Sequence, residues 1–315
     1  MLISANFADF LEPTIRSIFD VRSTRPNPMR DRLFNVTPSG RLLERYTGIG
    51  ARRLVQPYRG RTQAEDFDQY YRTDITNYLF TDELQVERTL MEDDQFGEIS
   101  RRANAFTSGF PETQEQDCVD IFANAFTDAG TNRIGESTAG ADAVGLCSTA
   151  HPYSPRQSGT TQSNEDTLAL SVENAKTTRI RMAKWTDDKA RRLMVVPDLI
   201  LVPVDLADTA RQIFPQSPGA PPYEPGSAEL TPNVFHSTIG PDPITVAVWN
   251  LMTDTNAWFM IDSKQMKTHL IFQERVAPTL ERPPSEDNEI ARWSGRMRYG
   301  LGWTHWAWLY GNNPS

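Results

Sequence analysis

The sequence contains little of what builds disulfide-rich folds, zinc sites or membrane spans. Its 315 residues include only two cysteines, Cys118 and Cys147, too few for a disulfide framework or a four-cysteine zinc site. The most apolar stretch, 193–204, is interrupted by Pro197 and Pro203, and it is shorter than the roughly 20 residues that a membrane-spanning helix needs. No segment has the basic, apolar and small-residue order of a secretory signal. We therefore expect a protein of a reducing aqueous compartment with no membrane partner.

Catalytic motifs are also missing. Only His151 has a cysteine close by, since it follows Cys147 by four residues. A metal pair at that spacing needs a helix, whereas Gly145 and Pro152 predict a loop. The chain has no nucleophile elbow, no phosphate-binding glycine loop and no dinucleotide fingerprint. The sequence therefore predicts no catalytic, cofactor-binding or metal-binding residue, and a cysteine-dependent hydrolase that uses Cys147 is the alternative.

The charge is unevenly distributed. The formal net charge is -9, yet residues 1–65 carry eleven Arg against six Asp and Glu, a local charge of +5. The rest of the chain therefore carries -14. Because a phosphate-binding body is normally basic, this asymmetry favours association with an acidic neighbouring copy over specific binding of DNA.

Residues 46–80 predict a long hairpin. Aromatic residues alternate with arginines along this segment, and 57–60 has the composition of a turn. Few residues here can form a core, and an isolated two-stranded hairpin is marginal in water, so we expect it to lie on another protein surface. Binding of single-stranded nucleic acid by the same residues is an alternative. The expected inter-subunit contacts are Arg52, Arg53, Tyr58, Arg59, Arg61, Tyr70 and Tyr71.

Hydrophobic periodicity predicts a mixture of helices and strands around this hairpin. Helices are predicted at 7–19, 92–127 (kinked or broken near Gly109 and Pro111), 167–184 and 206–213, the last capped by Asp205. Strands are predicted at 193–196, 199–202, 244–249, 257–261, 270–273 and 303–310, and an irregular loop at 128–164. The predicted fold class is α+β.

Several short motifs follow one another in order after the hairpin. They are 91–97 (MEDDQFG), 146–152 (LCSTAHP), 195–203 (VVPDLILVP), 256–260 (NAWFM) and 298–302 (RYGLG). Each is weakly specific, but their order from residue 46 to residue 311 resembles the major head proteins of tailed phages. The resemblance is strongest to the Mu-type branch of the Hong-Kong-97 capsid fold.

This resemblance implies a set of domains. They are an N-terminal arm (1–45), an extended E-loop hairpin (46–80), a peripheral domain with a spine helix (81–129), a mostly axial domain (130–275) and return strands to the peripheral domain (276–315). The hairpin would reach over the adjacent subunit, which would supply the surface that its composition requires.

The function implied by the resemblance is structural and not enzymatic. The chain would be a major capsid protein that self-assembles into hexamers and pentamers of an icosahedral head around double-stranded DNA. It would assemble in the host cytoplasm and remain in the virion capsid. Its partners would be other copies of itself, a separate scaffolding protein, a portal and decoration or cement proteins. An encapsulin-like nanocompartment shell is the alternative within the same fold.

One departure from some relatives concerns covalent locking of the shell. Those relatives join a hairpin Lys to an Asn, but in this chain the first lysine is Lys176. We therefore expect that this crosslink is absent.

Overall fold

The computed structural model describes residues 7–23, 28–52, 68–93, 97–155, 157–215, 231–236, 243–283 and 289–314, and the short pieces 54–55, 57–58, 60 and 224–225. Helices and strands are mixed along the chain, which confirms the α+β class. The chain divides into two compact units, each built from three separate segments.

The elements follow one another without a repeat. The helices are α1 (Phe7–Ser23), α2 (Pro28–Leu33), α3 (Arg88–Glu92), α4 (Glu98–Ala123), α5 (Val172–Met182), α6 (Ala207–Ile213) and α7 (Ser263–His269). The strands are β1 (Asn35–Pro38), β2 (Leu43–Ile49), β3 (Gln69–Thr76), β4 (Tyr78–Glu87), β5 (His151–Ser154), β6 (Gln157–Gln162), β7 (Glu165–Asp166), β8 (Leu199–Val202), β9 (Thr245–Val248), β10 (Trp258–Ile261), β11 (Leu270–Glu281), β12 (Ile290–Trp303) and β13 (Leu309–Asn312). The confirmed predictions are α1, α4, α5, α6, β8, β9, β10 and β11.

The first unit comprises Met1–Glu44, Ile75–Cys118 and Phe272–Leu301. Its four-stranded sheet has the order β1-β11-β12-β4. β12 and β4 pair as antiparallel strands over ten residues, from Ile290 opposite Glu87 to Tyr299 opposite Tyr78. Every second residue of β12 in this region is buried, so the sheet has one covered face.

Helices α1 and α4 cover that face. A Cβ at Gly295 of β12 would overlap the ring of Phe110 in α4, and the Phe110 ring lies 5.6 Å from that of Phe19 in α1. The indole Nε1 of Trp293 donates a hydrogen bond of 2.6 Å to Glu12 in α1. The arm helix is therefore part of the core of the first unit.

A break or a kink was predicted near Gly109 and Pro111. Helix α4 continues through Pro111, so the break is wrong, and the kink stays a prediction. A mid-helix proline costs about 3 kcal/mol relative to alanine. The same turns bury Phe106 and Phe110, whose rings pack edge to face at 5.4 Å, and burial of two aromatic side chains can offset that cost. The Ser108 hydroxyl also donates to the Asn104 carbonyl at 2.8 Å, within the helix.

The second unit comprises Arg45–Asp74, Val119–Ile271 and Gly302–Ser315. Its five-stranded sheet has the order β7-β13-β10-β8-β9. β10 is antiparallel to both neighbours, whereas β8 with β9 and β13 with β7 are parallel pairs. All residues of β8, β10 and β13 are buried, as expected for strands that are covered on both faces.

Aromatic side chains fill the core on both sides of β10. On one side, Trp258 belongs to a buried cluster with Trp185, and its indole N–H donates to the Leu168 carbonyl at 2.8 Å. On the other side, the Phe259 ring packs edge to face on Phe122 at 5.6 Å. Successive residues of one strand therefore support two separate layers.

Residues 193–196 form no strand, contrary to the prediction. Met194 is 91% exposed, and the Val196 N–H donates to the Asp262 carboxylate at 2.9 Å instead of to a neighbouring strand. Pro197 has no N–H to contribute to a strand ladder.

The strand predicted at 303–310 from alternating side chains is also wrong over most of its length. A turn interrupts this segment, with the Leu309 N–H donating to the Trp306 carbonyl at 3.2 Å, and β13 begins only at Leu309. Residues 306–310 are all buried. The alternation therefore reflects packing on both sides of an irregular segment.

The structure corrects three smaller predictions. The predicted loop at 128–164 contains the β5–β6 hairpin. Asp205 does not cap α6, whose N-cap is Leu206 without a side-chain hydrogen bond. Helix α7 was not predicted, although Asp262 caps it by accepting from two backbone N–H groups at 3.1 Å.

Candidate assembly surface

The predicted hairpin is formed by β2 and β3, which pair as a two-stranded sheet. Its contacts run in opposite order along the two strands. Arg45 near the start of β2 pairs with Asp74 near the end of β3 at 2.9 Å, and the Gly50 N–H donates to the Asp68 carbonyl at 2.8 Å. The strands are therefore antiparallel. A side chain at Gly48 would approach the Tyr70 Cβ to 3.0 Å, so close packing of the two limbs favours glycine there.

From the end of β2 onward, the hairpin exposes apolar side chains. The exposed fractions are 67% for Ile49, 66% for Leu54, 98% for Val55 and 77% for Tyr58. Leaving apolar area in water forgoes about 25 cal/mol for each Å². Apolar groups concentrated on one slender exposed segment are typical of a surface that another molecule covers.

The loop-side end of the paired strands contacts the rest of the second unit, and we call this part the hairpin base. The Ala51 N–H donates to the Asp188 carboxylate at 3.1 Å, and the Tyr70 hydroxyl donates to the Tyr153 carbonyl. The Tyr70 ring also lies 6.0 Å from that of His305. Burial, and next the nearby Tyr71 and Asp188, raise the pKa of the Tyr70 hydroxyl well above its usual range, so this hydroxyl stays protonated and remains a donor.

The seven predicted contact residues fall into three groups. They are exposed hairpin residues (Arg52 and Tyr58), residues outside the described part of the chain (Arg53, Arg59 and Arg61) and residues at the hairpin base (Tyr70 and Tyr71). Tyr70 and Tyr71 pack edge to face at 4.9 Å. Tyr78 and Phe80, which the sequence assigns to the hairpin, lie in β4 of the first unit.

Sequence reasoning missed the apolar residues of the hairpin. Ile49, Leu54 and Val55 are exposed, yet the prediction considered only aromatic and arginine side chains. These aliphatic residues occur in a segment that has no core of its own, and this could have indicated that a partner covers them.

The Cys147 thiol is not arranged as a nucleophile. It is buried, and burial, followed by the charge of Glu165, raises the pKa of this thiol well above its usual range. Both ring nitrogens of His151 are already engaged, at 2.7 Å from the Asp142 carboxylate and at 3.0 Å from the Asn164 side-chain oxygen. Among the described residues, a buried thiol whose pKa is raised does not provide the thiolate that cysteine catalysis needs.

The second cysteine, Cys118, is also buried. Burial raises the pKa of the Cys118 thiol well above its usual range. Within the described ranges, no group of three or more His, Cys, Asp or Glu residues could hold a metal ion. No helix in that part of the chain is long and apolar enough to cross a bilayer.

Comparison with known proteins identifies related folds. Residues 80–312 match the model of a family described as phage capsid protein, whereas no curated protein matches the sequence. The procapsid protein of bacteriophage JBD30 is 15% identical with a TM-score of 0.50, and the match covers 98% of this chain and 75% of that chain. The capsid protein of the native GTA particle is 11% identical with a TM-score of 0.55, covering 92% and 91%. The capsid protein of cyanophage P-SCSP1u is 9% identical with a TM-score of 0.55, covering 90% and 87%. At these identities the solved structures show a shared fold.

Proposed function

The chain belongs to the phage capsid protein family, and from this premise we propose that it forms hexamers and pentamers of an icosahedral head that encloses double-stranded DNA. Its role as a phage capsid shell protein follows from the family match and the shared capsid fold. The hexamers, the pentamers and the enclosed DNA are the proposed part.

Each compact unit receives a role in this proposal. The first unit, with its four-stranded sheet and most of the 26-residue helix α4, corresponds to a peripheral domain with a spine helix. The second unit, with the five-stranded sheet and the hairpin, corresponds to an axial domain and an E-loop. Of the strands in residues 276–315, the end of β11 and all of β12 lie in the first sheet, and β13 lies in the second.

The observation that carries the proposal is the exposed apolar part of the hairpin. Val55, at 98% exposure, and Tyr58, at 77%, follow a base that contacts the chain's own second unit. A neighbouring copy would cover these side chains, and an assembled shell supplies such a copy to every subunit. Because each copy would also receive a hairpin, many modest contacts would add up through avidity.

Other partners are proposed by comparison. One related structure is described as the capsid of bacteriophage JBD30 decorated with minor capsid protein trimers. For this chain we propose three kinds of partner besides its own copies: a separate scaffolding protein, a portal, and decoration or cement proteins. DNA would be held by confinement, because residues 66–315 carry a formal charge of -14, which does not favour phosphate binding. Assembly would take place in the host cytoplasm.

Covalent locking through a hairpin lysine is not expected. The first lysine of the chain is Lys176, in α5, so residues 43–76 have no amine for such a bond. Intact shells boiled in denaturant should therefore give a single band near 35.6 kDa on a denaturing gel. A ladder of covalent multimers would contradict this prediction.

Electron microscopy with light scattering tests the proposal directly. The full chain is expressed alone and together with its neighbouring genes, and the purified material is imaged. Closed shells or capsomer rings are expected, and shells that contain DNA distinguish a phage head from an enzyme-filled nanocompartment. A monodisperse 35.6 kDa monomer under both conditions would argue against the proposed function.

A further inference from the structure

The four-stranded sheet has a second face, opposite the one that α1 and α4 cover. The rings of Phe272 and Tyr299 stack at 5.1 Å and so share the covered face. Because side chains alternate along a strand, Arg298 lies on the opposite face. Glu281 of β11 pairs with Arg296 of β12 at 2.8 Å, so both also belong to this second face.

Four arginines lie on this second face. They are Arg275 of β11 and Arg292, Arg296 and Arg298 of β12, each an even number of residues from Glu281 or Arg296 along its own strand. Arg296 pairs with Glu281, and Arg292 lies 3.9 Å from Glu83 of β4. Two of the four arginines on this face, Arg292 and Arg296, therefore have acidic partners.

Arg275 and Arg298 are the two others. Both side chains are half-buried. The buried Nη1 of Arg275 and Nε of Arg298 have no hydrogen-bond partner within the described ranges, and neither guanidinium forms an ion pair with an acidic residue of that part of the chain. An N–H group withdrawn from water without an acceptor is a net cost, which an incoming anion would offset.

We propose that Arg275 and Arg298 bind carboxylates of a second copy of this chain. The guanidinium fork matches a carboxylate in two-point geometry. Leu79, which pairs with Arg298 across β4 and β12 and therefore shares its face, is 59% exposed. Arginine beside an exposed aliphatic residue is the composition of a protein interface. This inference rests on the proposed shell function.

Charge on the same face argues for a protein partner over nucleic acid. Glu83 and Glu281 accompany the arginines, and Glu87 lies opposite Ile290 at one end of the β4–β12 pair. Such carboxylates would repel a phosphate backbone, whereas a folded partner can match a mixed pattern of charge. A second copy supplies many carboxylates, since residues 66–315 carry a formal charge of -14.

The test compares two double variants of the full chain in an assembly assay. Arg275→Gln with Arg298→Gln removes the proposed contacts. Arg101→Gln with Arg102→Gln is the control, because it makes the same charge change on α4, where both arginines lie near Glu98. We expect the first variant to raise the protein concentration needed for assembly by about tenfold or more, as two charge-assisted hydrogen bonds are lost. The control should stay within about threefold of wild type.

The outcomes separate this inference from the proposed function. Equal assembly of wild type and the Arg275/Arg298 variant would overturn the inference alone. Normal shells with reduced nucleic-acid content would also overturn it, in favour of a nucleic-acid contact. Failure of the wild type to assemble under every condition would instead remove the proposed function.

Folding of the variants is checked by circular dichroism and thermal unfolding. If the double glutamine variant unfolds, Arg298→Lys alone decides the question, because it keeps the charge and loses the fork. We expect a rise of about threefold in the assembly concentration for this variant. Assembly at the wild-type concentration would contradict the inference.

Discussion

The five-stranded sheet and residues 45–74 of the β2–β3 hairpin belong to the same unit, and both contain many apolar and aromatic residues. In the sheet, every residue of β8, β10 and β13 is buried. In the hairpin, Val55 is 98% exposed and Tyr58 is 77% exposed. The same kinds of side chain therefore serve a core in one region and an open surface in the other. Apolar content alone does not distinguish the two, because coverage depends on which distant segments pack there.

The largest effect is expected from removing an aromatic side chain in the sheet. Trp258→Ala deletes a fully buried indole and its hydrogen bond to the Leu168 carbonyl, so the free energy of unfolding should fall by about 3–5 kcal/mol. Urea unfolding of the purified chain measures this. Met194→Ala, at a position that is 91% exposed, is the control and should change it by less than about 0.5 kcal/mol. Similar values for the two variants would break the comparison.

The second prediction concerns the loss of stability at low pH through His305, whose ring lies 6.0 Å from that of Tyr70 in the hairpin. His305 Nδ1 accepts a hydrogen bond from the Ala307 N–H at 3.0 Å. Burial, then His269 and His151, lower the pKa of His305 from 6.5 to about 3, and burial also lowers the pKa of His269. The unfolded chain binds these protons more readily than the folded chain. Stability is therefore complete above pH 6.5 and falls as the pH drops toward about 3.

Between pH 7 and about pH 4.5 the loss should be about 1–3 kcal/mol. Urea unfolding at both pH values measures it. In His305→Asn the amide oxygen can replace the ring acceptor without titrating, so this variant should lose less stability over the same interval. An equal loss in the variant and the wild type would show that His305 does not contribute.

A smaller effect is expected at the hairpin base. Asp188→Ala removes the acceptor of the Ala51 N–H, which should cost about 1 kcal/mol locally. Hydrogen exchange at Ala51 should then be about fivefold faster, with little change in the global unfolding free energy. Asp208→Ala changes a 93% exposed side chain on α6 and is the control. Unchanged exchange at Ala51 would show that Asp188 does not hold the hairpin.

The smallest effect on folding, and a large one on assembly, is expected at the exposed part of the hairpin. Leu54→Asp with Val55→Asp should change the free energy of unfolding by less than about 0.5 kcal/mol, because both side chains are already exposed. The protein concentration needed for assembly should rise about tenfold or more, since the assembled shell would lose two apolar contacts that it buries between subunits. Light scattering measures assembly, and Met194→Asp provides an exposed apolar control outside the hairpin. Wild-type assembly of the double variant would remove the hairpin from the interface.

Local sequence patterns correctly predicted elements in which the tertiary contacts support the local preference for helix or strand. β8 and β10 are short apolar runs, and α5 has a Ser171 cap that accepts from the Asn174 N–H. The failures occurred where distant contacts overrode local preference. Pro111 lies inside α4 because Phe106 and Phe110 are buried around it. In the segment 193–196, the Leu193 N–H donates to the Trp185 carbonyl and the Val196 N–H to the Asp262 side chain, so neither joins a strand ladder.

The assembly surface was predicted only in outline. Arginines and tyrosines indicated a hairpin over 46–80 with an external partner. β2 and β3 pair as a two-stranded sheet within 43–76, whereas the external partner stays a prediction. The roles of Arg53, Arg59 and Arg61 remain predictions, because these residues lie outside the described ranges. Arg275 and Arg298 carried no sequence signal, since only the pairing of β11 with β12 and of Glu281 with Arg296 separates them from arginines with partners.

The sequence by itself determined the α+β class, the hairpin, the lack of a lysine before Lys176 and the order of motifs that resembles phage head proteins. These features depend on residue type and on short-range spacing, which any segment carries alone. Only the tertiary structure decided which apolar residues are covered, which arginines have acidic partners and that the Cys147 thiol is enclosed. Burial and ion pairing depend on residues far apart in the chain, so their outcome is fixed only when those residues meet.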